Sequence, residues 1–424
     1  MLPSTSGVGG EAYALDGRLM ASPQPLAAEA MGLPVSLGLL GNAAIDPLAP
    51  LPATASLLFD DVEELLWAAT RGGHVTSFYG ASLEKYTSFQ ALPSVSEAAD
   101  VRAMATNSAG LFSVGQAELR AHRRTGLPLF TYKSQSMQNL RCIVKSVVSE
   151  SQLWLGGQQQ RLIQMDVEKL KEIRVTTLSQ RDCVILKCTS RFLLCGDSSG
   201  QVTLRNADSL DTLHCWQAHH GALADFDIYG NKMVTCGSSL KLNEMTGDKF
   251  LMVYDLRNLK SLMPIIVPFR PAFVRFLPSY ADFRLLVASQ AGDLQVLEVG
   301  GQPQPYYQVD VQGSSLVAAD VSPSKQCAAF GDSQGLLHLF SDRMEPAFHL
   351  DARPTEFPDE MAQLPYIPYD DATTAAGLIP LQVTTDSYWL SDWPAELSQR
   401  ECRSVYPQWE WCTVPYEGGE RGRF

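Results

Sequence analysis

One hairpin pattern recurs along the middle of the chain: small or apolar residues, a glycine, a short polar turn, a second glycine, and then alternating apolar residues. The clearest copies are Leu194–Leu204 and Ala329–Phe340, and weaker copies are Ala69–Phe78 and Ala288–Leu297. Seven copies can be counted, with the second turn position near residues 73, 117, 160, 200, 249, 292 and 335. Steps of 40–49 residues are typical of the four-stranded blades of a β-propeller. The sequence therefore predicts an all-β, seven-bladed β-propeller over residues 55–345.

The two ends of the chain differ in composition from this middle part. Residues 1–50 are rich in Ala, Gly and Pro, which predicts a mostly flexible leader. Residues 351–424 contain 13 acidic and 5 basic residues together with four of the seven Trp, which predicts an extended segment that docks on something. The ring must close, and blade one is predicted to begin near Leu57 and to lack its outer strand, which either residues 34–46 or the chain just after residue 345 could supply.

Charge and cysteine content exclude several classes of protein. The formal net charge of −13 argues against a broad cationic surface for nucleic acid. No apolar run approaches the ~20 residues of a membrane span, and no basic segment leads into an apolar one as in a signal peptide. Nine Cys, an odd number in a long chain, indicate reduced intracellular thiols rather than a disulfide framework.

Several motifs resemble catalytic or metal sites. Gly196–Gly200 and Gly331–Gly335 both look like the nucleophile turn of a serine protease, but the motif occurs twice at the same blade phase, which favours a structural hairpin. His219-His220 and the cysteines near residue 190 lack the number and spacing of metal ligands. We therefore expect no catalytic residue, no metal and no cofactor in this chain.

Other polar residues are typical of blade structure. We expect His74, Asp225 and Asp227 to form hydrogen bonds within blades. Arg257, after Tyr254-Asp255-Leu256, lies where the Trp-Asp pair of a WD repeat would end a strand, and Asp166 after Met165 is similar. The blades are therefore predicted to be of the WD40 type.

The C-terminal segment carries the candidate binding residues, because buried aromatic side chains are strong interface anchors. Packing of these side chains against the propeller rim remains the alternative to docking on a partner. The predicted partner-binding residues are Tyr388, Trp389, Leu390, Trp393, Pro394, Trp409 and Trp411.

Five stretches of the chain carry a resemblance to a known family. They are Leu65–Gly80, Leu223–Asn231, Asp248–Arg257, Pro271–Pro278 and Leu390–Pro394. In these stretches the chain resembles the catalytic subunits of the Pan poly(A)-specific deadenylase complex, over about residues 57–394. In that family a WD-repeat propeller and a linker precede an inactive ubiquitin-hydrolase-like domain and a metal-dependent exonuclease that shortens poly(A) tails.

The resemblance implies a partner and a function. It implies a targeting and assembly module that binds a dimer of the pseudokinase regulatory subunit and, indirectly, poly(A)-binding protein and poly(A) RNA. No membrane and no small-molecule substrate are implied. The implied location is the cytoplasm, in P-bodies, with the nucleus as a second compartment. The acidic metal ligands of the exonuclease have no counterpart here, so we expect this polypeptide not to cleave RNA by that mechanism. Whether the chain is a fragment, a truncated gene model or an isoform stays open.

Two alternatives remain beside this reading. The chain could be a generic WD-repeat scaffold that binds peptides of another assembly on its narrow face. It could also be an enzyme that uses the central channel, although no site for one is visible in the sequence.

Overall fold

All regular elements of the described chain are β-strands. The computed structural model describes residues 38–45, 53–93, 100–179, 181–241, 244–278, 284–298, 306–351 and 353. The strands form seven separate sheets, six of them with four strands and one with six. Each sheet is one blade, and its strands are called a to d from the axis outward.

Blades 1 to 4 each take their a to d strands from consecutive segments of the chain. A first strand, β1 (Gly38–Ala44), precedes them. The strands are β2 (Thr54–Phe59), β3 (Leu66–Thr70), β4 (His74–Tyr79) and β5 (Glu84–Gln90) in blade 1, β6 (Ala103–Asn107), β7 (Gly110–Val114), β8 (Leu119–His122) and β9 (Pro128–Tyr132) in blade 2, β10 (Leu140–Lys145), β11 (Gln152–Gly157), β12 (Arg161–Asp166) and β13 (Lys171–Thr177) in blade 3, and β14 (Ile185–Cys188), β15 (Phe192–Gly196), β16 (Gln201–Asn206) and β17 (Thr212–Gln217) in blade 4.

Blade 5 departs from the pattern in two places. Its b strand runs past the end of the blade and pairs with an extra strand, and its d strand is split into two short pieces. Blades 6 and 7 then follow. The strands are β18 (Leu223–Tyr229), β19 (Lys232–Lys241), β20 (Glu244–Gly247), β21 (Phe250–Asp255), β22 (Lys260–Ser261) and β23 (Ile265–Ile266) in blade 5, β24 (Pro271–Phe276), β25 (Arg284–Ser289), β26 (Asp293–Glu298) and β27 (Tyr306–Gln308) in blade 6, and β28 (Leu316–Val321), β29 (Cys327–Asp332) and β30 (Leu336–Ser341) in blade 7.

The N-terminal strand β1 closes the ring. It pairs antiparallel with β30 as the d strand of blade 7, with Leu39 opposite Phe340 and Ala44 opposite Leu336. Of the two segments that the sequence left open, the one within residues 34–46 therefore supplies the closing strand. It completes the last blade rather than the first, because β2 to β5 already form a full blade 1.

The turns between b and c strands confirm the repeat. All seven positions counted from the sequence lie at the turn between the b and c strands of a blade. Gly73, Gly200, Gly292 and Gly335 have φ between 82° and 95° there, a conformation that favours glycine because it has no Cβ. The insertion after Cys236-Gly237 is the extra hairpin of β19 and β20.

The core consists of the seams between blades. Seven apolar clusters occur in the described chain, and each combines side chains of two neighbouring blades. Middle strands are buried on both faces, so β3 and β29 are buried at every residue. This explains why these strands are short and continuously apolar rather than strictly alternating.

The two faces of the ring are named here by their connections. The upper face carries the b–c turns and the d–a connections between blades, and the lower face carries the a–b and c–d turns. Because β30 runs towards the lower face, the chain leaves the ring there. No helix in the described ranges is long and apolar enough to cross a membrane.

Candidate interaction site

The segment that leaves the ring, residues 342–351 and 353, is bound to the lower face at the seam between blades 7 and 1. We call it the exit segment. Phe348 is 1% exposed, and its ring meets that of Phe59 edge-on with centroids 5.1 Å apart. Glu64, in the a–b turn of blade 1, accepts the backbone N–H groups of Phe348 at 2.6 Å and His349 at 3.0 Å. Hydrogen bonds to a carboxylate are among the stronger ones. The start of the C-terminal segment is therefore a fixed part of the propeller.

A buried ion network lies beneath the exit segment. Asp60 is fully buried and receives Arg124 of blade 2 in a bidentate pair, at 2.9 Å from Nε and 2.7 Å from Nη2. The indole Nε1 of Trp67 also donates to Asp60 at 2.9 Å. Because the carboxylate of Asp60 accepts hydrogen bonds from residues of blades 1 and 2, its pair with Arg124 fixes the a–b turn of blade 1 against blade 2.

Glu63 connects this network to the exit segment. Its carboxylate lies 3.6 Å from Arg124 Nε and 3.0 Å from Arg353 Nη2. Burial raises the pKa of Glu63, while the positive charges of Arg124 and Arg353 oppose that rise. The backbone of Arg353 pairs with Glu63, and its N–H donates to Val62 O at 3.1 Å. The charge pair therefore holds the last described residue of the exit segment.

The exit segment also exposes apolar side chains. Met344 is 80% exposed and Leu350 is 68% exposed, although both flank the buried Phe348. Because the backbone of the segment is already fixed, covering these side chains would require no ordering of the backbone.

The central channel is lined with charges that join the inner strands. Asp227 of blade 5 accepts Phe276 N of blade 6 at 2.8 Å, and Asp320 of blade 7 accepts Phe59 N of blade 1 at 2.9 Å. Arg275 pairs with Asp225 and donates to a backbone carbonyl of blade 7. These bonds run from blade to blade around the axis, so the channel charges stabilise the closed ring.

The pKa shifts in the channel follow from burial and pairing. Burial raises the pKa of Asp225 and of Asp320, and Arg275 opposes both shifts. Burial would also raise the pKa of Asp227, but Lys187 and Arg275 outweigh it and lower that pKa. Burial would lower the pKa of Arg275, and the three carboxylates together raise it instead. Each carboxylate already accepts a backbone N–H, so these groups act in structure.

The two protease-like motifs are turns of the b–c type. Asp197 Oδ1 accepts the N–H groups of Ser199 and Gln201 at 2.9 Å each. Asp332 Oδ1 likewise accepts those of Gln334 and Leu336, at 2.9 and 2.7 Å. The structural interpretation of these motifs is confirmed, because each Asp satisfies the donors of its own turn.

The expectation for His74 is confirmed, since its Nδ1 contacts Ser88 Oγ of its own blade at 3.4 Å. The sequence did not predict that His219 pairs with an aspartate: it is buried and contacts Asp248 Oδ2 at 2.9 Å and Thr235 Oγ1 at 3.1 Å. The expectation that Asp225 and Asp227 bond within a blade was wrong for their main contacts, which cross to blade 6.

Asp166 ends the c strand of blade 3 as predicted, whereas the c strand of blade 5 ends at Asp255 and not at Arg257. Asp255 Oδ1 accepts Arg257 N at 3.0 Å, and Asp166 Oδ1 accepts the N–H groups of Glu168 and Lys169 at 3.0 Å each. Hydrogen bonds from the side chain and the backbone of Arg257 lower the pKa of Asp255. Polar residues at this position therefore cap the c–d turns on the lower face.

Cysteine and metal chemistry can be judged for the described ranges. Seven cysteines there are free thiols, and burial contributes to raising the pKa of Cys236 well above its usual value. Across these ranges no group of three or more His, Cys, Asp or Glu side chains is placed to hold a metal ion.

The predicted partner-binding residues all lie outside the described residues. These are Tyr388, Trp389, Leu390, Trp393, Pro394, Trp409 and Trp411. Sequence reasoning missed the residues that hold the exit segment, chiefly Asp60, Glu64, Arg124 and Phe348. Glu64 and Phe348 are 284 positions apart, so no local pattern connects them.

Seven sheets of four or more strands around an axis, with capped c–d turns and a buried His219–Asp248 pair, define a WD40-type β-propeller domain. The family model described as "PAN2 N-terminal" matches residues 49–341, more than half of the chain. The chain belongs to this family.

Curated relatives and a solved structure agree with this assignment. The chain is 37% identical over 353 residues to the PAN2-PAN3 deadenylation complex catalytic subunit PAN2 of Homo sapiens, a match that covers 82% of this chain and 29% of the relative. It is 32% identical over 376 residues to the PolyA-specific ribonuclease subunit panl-2 of Caenorhabditis elegans, covering 84% of this chain and 32% of the relative. The chain thus spans about a third or less of these relatives' length. The Neurospora crassa Pan2 WD40 domain superposes with a TM-score of 0.68 at 23% identity, covering 75% of this chain and 99% of that one, and shares the fold.

Proposed function

We propose that this chain is a non-catalytic targeting and assembly module of an mRNA poly(A)-tail deadenylase. The observation that carries the proposal is the family match over residues 49–341, to relatives named as catalytic subunits of a deadenylation complex. The matched residues form a propeller whose channel carboxylates are engaged with backbone donors. The module binds; the cleavage of RNA belongs to other parts of the complex.

Its proposed partner is the pseudokinase regulatory subunit, as a dimer. Through that subunit the module would help to present poly(A)-binding protein and poly(A) RNA to the nuclease. The tail aromatics would fill pockets of the partner, and the exit segment supports this arrangement because it starts the tail from a fixed point on the lower face. The proposed locations are the cytoplasm, including P-bodies, and the nucleus.

The test is a titration of the full chain with the purified pseudokinase subunit. Trp389→Ala together with Trp393→Ala should weaken binding roughly 700-fold, since two interface anchors of about 2 kcal/mol each are together worth about 4 kcal/mol. The matched control is Tyr366→Ala with Tyr369→Ala, two aromatic residues of the same tail outside the predicted set. Binding that is equal for both double variants would remove the predicted residues from the interface, and no binding by the unchanged chain would refute the proposed partner.

A further inference from the structure

The extra hairpin of blade 5 borders a cavity on the upper face, and the proposed function does not involve this cavity. The cavity has a volume of about 660 Å³ and lies between blades 5 and 6. One wall is the extra hairpin of β19 and β20, which provides Ser238 and Gly247, and the opposite wall is the b–c turn of blade 6. A space of this size is in the range of sites that bind small ligands or a few residues of a peptide.

Small residues and two cations determine what the cavity can accept. Much of its lining is alanine and glycine, whose small side chains leave backbone groups accessible and leave space for a ligand. Lys249 and Arg270 lie in the lining and are exposed, and neither forms an ion pair within the described part of the chain. The stem of Arg270 passes close to Gly247, where an added Cβ would lie 3.2 Å from Arg270 Cβ.

The acidic group of the lining is already satisfied. Asp293 accepts Ser289 Oγ at 2.8 Å and also accepts the hydroxyl of Tyr306. Donors and positive charge therefore predominate in a chain whose formal charge is −13. A ligand that brings a carboxylate complements this arrangement.

The hairpin adds an apolar contact beside the cations. Leu240 and Met245 are directly opposite in the register, two positions beyond Ser238 and Gly247, so they lie on the same face of the hairpin as these two lining residues. They stand beyond the lining itself, and the methyl group of Met245 lies over Gly221. Each is 55% exposed. An apolar side chain next to the carboxylate of the ligand would cover them.

We propose that this cavity binds an acidic peptide segment of a partner protein, with an Asp or Glu between Lys249 and Arg270 and a neighbouring apolar residue on Leu240 and Met245. The proposal does not depend on the identity of the subunit proposed above. A peptide fits better than nucleic acid, because the aromatic side chain of the lining, Phe269, is buried and offers no stacking surface.

The test uses a displayed library of random 12-residue peptides selected on the full chain. Enriched peptides should carry Asp or Glu beside Leu, Ile or Phe. In anisotropy titrations their affinity should fall at least 10-fold for Lys249→Glu with Arg270→Glu, and also when the peptide acid is changed to its amide. The charge-matched control, Lys171→Glu with Lys260→Glu, reverses two exposed cations elsewhere and should leave binding unchanged.

Each other outcome overturns the proposal. No acidic and apolar consensus, or equal binding by the cavity variant and the control, would remove the site. Binding of a 12-nucleotide oligo(A) that only the cavity variant loses would assign the cavity to nucleic acid instead. Should the charge reversal impair folding, Lys249→Gln with Arg270→Gln gives the same test without new negative charge.

Discussion

Replacing Phe348 with Ala should release the exit segment from the lower face while the ring stays folded. The ring of Phe348 is 1% exposed and meets Phe59 edge-on at an interplanar angle of 75°. Burying such a side chain contributes about 1.5–3 kcal/mol, and an aromatic pair adds about 0.5–1.5 kcal/mol. The segment can detach without unfolding the blades, so the variant should lose about 2–4 kcal/mol of docking free energy. This raises the detached fraction roughly 30- to 700-fold.

The detachment can be measured by amide hydrogen exchange and by native-state trypsin cleavage. The amides of Phe348 and His349, which donate to Glu64, should exchange faster by about the same factor when exchange follows local opening. Cleavage after Arg343 should accelerate in parallel. The matched control is Leu350→Ala, which truncates an apolar side chain of the same segment that is 68% exposed. Equal exchange in the two variants would refute the reasoning, because Phe348 would then not be the anchor.

Three further changes test other contacts. Arg124→Met leaves the buried carboxylate of Asp60 without its cation and should lower the free energy of unfolding by about 3–5 kcal/mol in urea titrations. Adding Asp60→Asn to this variant should recover part of the loss. No recovery would show that the unpaired charge is not the cause. Gly41→Ala places a Cβ 2.7 Å from a carbonyl oxygen of blade 1, and this clash should lower Tm by roughly 2–6 °C. Gly72→Ala is the control, because the nearest atom to its Cβ would be 3.8 Å away, and it should change Tm little. Equal shifts in Tm would show that the clash is not the cause. Burial lowers the pKa of His122, so its contribution to stability is present above the unfolded pKa of about 6.5 and is lost as pH falls below that value. The free energy of unfolding should fall there by at most about 1.4 kcal/mol per pH unit. His122→Asn should make the free energy of unfolding, measured in urea, depend less on pH between pH 6.5 and 5. An unchanged slope would show that other groups cause the dependence.

The repeat could be predicted from the sequence because its turns depend on local chemistry. Gly200 and Gly335 adopt positive φ. Asp197 and Asp332 accept N–H groups of their own turns. The residue types of the motif are therefore those that the turn itself requires. A motif that depends on its nearest neighbours recurs wherever the same turn recurs. The blade count and the position of each b–c turn followed from this.

The closing strand could not be predicted in the same way. Residues 38–44 contain Gly38, Gly41 and Asn42, which are depleted in strands, and they pair because the edge of β30 is free to receive them. The contact between Glu64 and Phe348 was equally hidden, since it depends on ring closure bringing blades 1 and 7 together. Sequence patterns describe each blade, and the contacts between the first and last blades depend on the finished ring.

Pairing of the first strand with the last has a consequence for synthesis. Ala44 leaves the ribosome 292 residues before its partner Leu336. At about 5–20 residues per second, β1 waits roughly 15–60 s for an edge to join. Two glycines and an asparagine make this strand a poor template for aggregation during the delay. A segment with a higher strand propensity could close the ring equally well, but during the delay it would be more prone to pair with other nascent chains on the same mRNA.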